Sequence, residues 1–169
     1  MNTKDIARGG LLAAVAVALL YVGGTATYVG VAACVAAGVT SAVPLLRRAR
    51  VRTAVMLYLT VSVLSALLVP RKVVAAAYVL FCGLYPIVKF LIESRVPLQA
   101  QWGLKLAYFN IVLAVAGVLA VFVFFPGMAV TGLFRIAAVW FAANVGFFIY
   151  DVALSRLIAL LRASLPPDC

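Results

Sequence analysis

The chain has 169 residues, 67% of them hydrophobic and only 11% charged, with a mean hydropathy of +1.22 and a net charge of +10. A soluble domain of this size needs polar side chains over its outer faces, and so apolar a chain cannot supply them. Nucleic-acid binding needs basic residues clustered on a water-facing surface; here they punctuate hydrophobic runs, which points to membrane topology and anionic head groups instead.

Six spans are predicted in chain order. The first covers residues 6–22, with Gly23-Gly24-Thr25 as its turn. Lys4 and Arg8 before this apolar run, and small residues at Gly24 and Ala26 after it, give it signal-peptide features; it is read as a retained first helix. The second span, 26–46, stops at Arg47, Arg48, Arg50 and Arg52, and the third covers 53–69. The fourth, 70–93, opens with Pro70-Arg71-Lys72 and is uncharged from Val73 to Val88. Its length suits an apolar bilayer core, which takes roughly 17 to 25 helical residues. Pro86 inside it predicts a kink, tolerated where neighbouring helices or hydroxyls take up the freed carbonyl. The fifth span covers 102–125 and ends at Pro126-Gly127. The sixth covers 131–149 and continues as an amphipathic tail through Arg156 and Arg162 to Pro166-Pro167. The expected fold is therefore all-α, one domain of six transmembrane helices over residues 1–169, in the plasma membrane.

The cations orient it. With a cytoplasmic N-terminus, Lys4, Arg8, the arginines at 47, 48, 50 and 52, Lys89, Arg95, Lys105, Arg156 and Arg162 face inward, and only Arg71, Lys72 and Arg135 face outward. Eleven against three satisfies the positive-inside rule with both termini cytoplasmic.

Small residues recur at four-residue spacing on the first two helices: Gly10, Ala14 and Ala18 on one, Gly30, Cys34 and Gly38 on the other. Such edges let two backbones approach closely, either within the bundle or against a partner membrane protein. Both readings stand.

Catalysis is not expected. Histidine is absent, which removes Ser-His and Cys-His constellations and most zinc sites. No P-loop, Gly-x-Gly-x-x-Gly or redox dithiol is present, and no cofactor or metal is implied. Asp5, Glu93, Asp151 and Asp168 are the only acids. Cys34 and Cys82 lie mid-span as small hydrophobes, and spacing alone leaves a pairing between them open.

Polar groups at membrane depth form a second candidate set: Lys89, Glu93, Lys105, Asn110 and Asp151, with Asn144 in the sixth span. The plainer reading is a set of pairs fixing helix register. A catalytic reading would require Glu93, Asp151 and Asn110 to converge. Near the outer helix ends, Tyr28, Arg71, Lys72 and Tyr78 could join Asn144 in a pocket for a small, anionic, amphipathic ligand. Together with Tyr21, Thr25, Thr27, Arg135 and Trp140, they equally suit an interfacial belt.

Two stretches carry a resemblance: Val69-Pro70-Arg71-Lys72 with residues 77–89 and Glu93, and Trp102-Gly103-Leu104-Lys105-Leu106-Ala107-Tyr108-Phe109-Asn110. Together they resemble a group of small integral membrane proteins of clostridia-like bacteria to which no activity is attached. The first helix, with its basic start and Ala14-x-x-x-Ala18, is similar to that of substrate-binding S components of energy-coupling-factor transporters. That resemblance implies a subunit capturing a small-molecule micronutrient outside and docking, through Ala14 and Ala18, onto a transmembrane coupling subunit driven by two ATPases. The alternative is a non-catalytic membrane scaffold or assembly protein.

Overall fold

A computed structural model describes residues 3–25, 29–48, 51–124 and 133–164, all but a few of them helical and none in a strand. Six helices emerge: α1 (Thr3–Thr25), α2 (Gly30–Arg48), α3 (Val51–Leu68), α4 (Lys72–Arg95), α5 (Leu98–Leu119, running on into a π turn over Ala120–Phe124) and α6 (Leu133–Ser164). Five of them, all but α2, are long and apolar enough to cross a membrane; α2 contributes the shorter apolar stretch Gly30–Leu45. The architecture is compatible with a membrane protein. The chain forms two compact units, Met1–Arg95 and Val96–Cys169.

In the first unit α2 packs against α1, α3 and α4. The core is built from small side chains and a few rings: Ala13, Ala16 and Leu20 of α1, Cys34 and Ala37 of α2, Leu57 and Val61 of α3, and Ala75, Tyr78 and Cys82 of α4. A second, smaller core joins Leu45, Ala54 and Ile87. Glycine decides the closest contacts. A Cβ on Gly23 would collide with the Ala33 side chain, and one on Gly38 would collide with the Cys82 carbonyl.

That second contact follows from the form of α4. Proline has no N–H, so Pro86 cannot donate to the carbonyl four residues back, which belongs to Cys82. The chain accommodates this by widening into a π turn over Tyr78–Cys82 before α geometry resumes at Tyr85–Arg95. Gly83 N–H donates to the Tyr78 carbonyl at 2.8 Å, five residues back, and Ile87 and Val88 both donate to Leu84 at 3.1 Å. The Tyr58 hydroxyl of α3 donates to the Val79 carbonyl at 2.8 Å. The expected kink is thus a register change in the backbone ladder, and a neighbouring hydroxyl and the bare Cα of Gly38 receive its carbonyls.

In the second unit α5 and α6 run antiparallel. Trp102 stacks on Phe148 with centroids 5.2 Å apart, and Phe109 on Phe147 at 4.4 Å. From Lys105–Asp151 through Phe109–Phe147 to Asn110–Asn144, the contacts step along one helix as they step back along the other. Little else of this pair is covered: Leu98, Ile111, Phe122, Val139, Phe141 and Ile149 are each more than 60% exposed.

Candidate functional site

The polar residues of α5 and α6 form a ladder across their seam. At one end Lys105 Nζ lies 3.5 Å from Asp151 Oδ2, both side chains almost wholly buried, with the ammonium 5.4 Å from the centre of the Trp102 ring. Taking either charge out of water singly is costly, so the pair is the form in which both tolerate burial. Five residues on, about 7.5 Å along the axis, Asn110 and Asn144 exchange amide hydrogen bonds. Asn110 Nδ2 donates to Asn144 Oδ1 at 3.2 Å, and Asn144 Nδ2 donates to Asn110 Oδ1 at 3.4 Å. Each amide also returns to its own helix, Asn110 to the Leu106 carbonyl and Asn144 to the Trp140 carbonyl, both at 2.9 Å. Trp140 Nε1 donates to Asn110 Oδ1 at 2.7 Å, the shortest of these contacts. Both N–H groups of each amide are engaged, one by the other amide and one by a carbonyl of its own helix, an arrangement suited to fixing register.

Lys89 and Glu93 belong to the other unit. Their charges meet at 3.1 Å across one turn of α4, with Lys89 buried and Glu93 exposed. Within the first unit Lys89 thus pairs with Glu93, and within the second Lys105 pairs with Asp151.

The outer ligand candidates are placed as follows. Tyr28 lies outside the described residues. Arg71 and Lys72 are exposed at the start of α4, where Lys72 Nζ donates to the Ala66 carbonyl at 2.7 Å. Tyr78 is fully buried. Its hydroxyl shares a 3.2 Å hydrogen bond with Ser41 Oγ, and its ring lies 6.3 Å from that of Tyr58. Asn144 is in the second unit, paired with Asn110 as above.

The small-residue edges divide by helix. On α2, Gly38 is buried against Cys82, and a Cβ on Gly30 would stand 3.3 Å from the Gly23 carbonyl oxygen and the Val74 side chain. Both serve contacts inside the unit. On α1, Gly10, Ala14 and Ala18 are exposed, and nothing lies within 4 Å of where a Cβ on Gly10 would be. The buried face of the same helix is Ala13, Ala16 and Leu20.

Three features escaped sequence reasoning. The Trp140 indole anchors the amide pair, Ser41 shares a hydrogen bond with the Tyr78 hydroxyl, and Tyr58 serves the π turn. Only Trp140 left a local signal, since it stands one turn before Asn144 and shares its face. Among the described residues no cluster of three or more histidine, cysteine or acidic side chains is placed to hold a metal ion.

No family model matches this chain, and neither a curated protein nor a solved structure matches it.

Proposed function

We propose that this is a multi-pass protein of the plasma membrane, a single bundle crossing six times with both termini cytoplasmic, and that it is a non-catalytic subunit working by docking onto another membrane protein. The observation that supports docking is the division of α1: Ala13 and Ala16 are used by the unit's own core, while Gly10, Ala14 and Ala18 are left exposed. Small side chains facing outward at helical spacing let a partner helix come close enough for van der Waals contact and Cα–H···O contacts, the attractions that remain between helices in lipid.

The likeness to S components gives this reading its fullest form, in which the partner is a coupling subunit with its ATPases and the cargo a micronutrient bound on the outer side. Docking has more support than capture. Of the proposed ligand residues, Tyr78 spends its hydroxyl on Ser41 and Asn144 spends its amide on Asn110 and Trp140. Those engagements favour the second reading, a scaffold or assembly protein with the same docking edge and no cargo.

One experiment separates them. Native mass spectrometry of the gently extracted protein should show a membrane partner, and the double variant Ala14→Leu, Ala18→Leu should lose it while remaining folded, because neither side chain is buried. A coupling subunit with ATPases and a bound small molecule would establish transport; a partner without a small molecule would establish assembly. Retention of the partner by the variant would refute docking through α1. Accessibility labelling that placed Arg52 outside would reverse the proposed orientation.

A further inference from the structure

Cys34 of α2 and Cys82 of the π turn have no part in the docking reading. Both are buried, at 3% and 6% exposure, in the same core cluster. Gly38, one turn after Cys34, is the point where α2 meets the π turn: a Cβ built there would stand 3.5 Å from Cys82 Cβ. This approach sets the two thiols in one buried cluster on the facing sides of α2 and α4. Cys34 Sγ donates to the Val74 carbonyl at 3.4 Å. While Cys34 is reduced, the Val74 carbonyl accommodates its thiol. Burial also keeps water-borne oxidants and thiols away from either one, so any reagent that reaches them must partition into the apolar phase.

We propose that Cys34 and Cys82 form a latent disulfide that staples α2 to the π turn of α4, with a lipid-soluble quinone as the oxidant. The two thiols give up two protons and two electrons as the S–S bond forms, and the quinone takes up both to become its hydroquinone. The sulfurs must close to about 2.05 Å. The π turn supplies the movement, because its backbone ladder already departs from the α pattern and the Cys82 carbonyl receives no N–H from Pro86. Closure would fix the point about which the two halves of α4 can bend. The device is therefore a redox-set lock on a helix hinge.

The test uses the full chain in lipid vesicles, oxidised with a fully ring-substituted quinone that thiols cannot capture by addition. The sample is denatured in one maleimide, reduced, labelled with a second, and read by peptide mass spectrometry. Cys34 and Cys82 should carry the second label together while Cys169 carries the first. In the native oxidised protein, backbone amides of residues 78–83 should exchange roughly tenfold more slowly than in the reduced one. A Cys34→Ala variant treated alike should show no slowing. First label on all three cysteines, or a linkage through Cys169, would overturn the pairing. A Cys34–Cys82 bond that leaves amide exchange unchanged would overturn the lock.

Discussion

In the first unit, α2 meets its neighbours at points with almost nothing between the backbones, Gly23 against Ala33 and Gly38 against the Cys82 carbonyl, with Ala13, Ala16, Ala37 and Ala75 in the core beside them. In the second, α5 and α6 meet through an ion pair, an amide pair and two ring stacks. Half of the α4 span is buried, against 6% of the α5 span and 11% of the α6 span. The contrast shows two solutions to one problem. When the surroundings are as apolar as the side chains, covering leucine or phenylalanine yields little, and helices associate through close packing or through polar groups with no better partner. The first unit uses close packing with small residues; the second uses polar contacts along an otherwise exposed seam.

The comparison can be broken most forcefully at Lys105 and Asp151. Asp151→Leu removes the carboxylate from a buried ammonium and should cost about 3 to 5 kcal/mol. Adding Lys105→Met should recover much of the loss, measured by thermal unfolding in detergent. If the single and double variants are equally damaged, the second unit is held by something other than this pair. Next comes Gly38→Val, which forces a side chain onto the Cys82 carbonyl and should destabilise by about 1 to 3 kcal/mol. Gly117→Ala in α5 meets open space and should instead stabilise, by at most about 1 kcal/mol. Opposite signs for two glycine substitutions would confirm that close backbone approach belongs to the first unit alone.

Two smaller effects sharpen the picture. Tyr58→Phe deletes one hydrogen bond to the π turn and should cost about 1 kcal/mol. Its signature is faster amide exchange at residues 78–83, with the rest of the chain unchanged. Asn110→Leu should cost about 0.6 kcal/mol, the usual worth of a hydrogen bond between membrane helices. Asn144→Leu on the same background should add little, since its amide has then already lost its cross-helix partner.

Much of the helical layout was legible in the residues themselves. Uncharged runs closed by arginine, glycine or proline mark six helices, because local hydropathy and chain-breaking chemistry act over a few neighbouring positions. Four-residue spacing is likewise enough to put Glu93 beside Lys89. The same spacing treated the small residues of α1 and α2 alike, and only packing separated them: Gly30 and Gly38 turn inward, while Gly10, Ala14 and Ala18 face out. Tyr78 could be singled out as polar and aromatic, but whether its hydroxyl faces a ligand or Ser41 depends on where α2 lies.

Sequence alone determined that the apolar runs are helical over their described residues, and which few polar groups must be accounted for within them. Tertiary structure alone decided the partners: Lys105 with Asp151, Asn110 with Asn144, Cys34 with the Val74 carbonyl, and the bare Cα of Gly38 with the carbonyl left over by Pro86. The physical reason is range. Helix formation is settled by hydrogen bonds four or five residues apart, whereas each of these pairings joins positions more than thirty residues apart, and only the packing of whole helices brings them into contact.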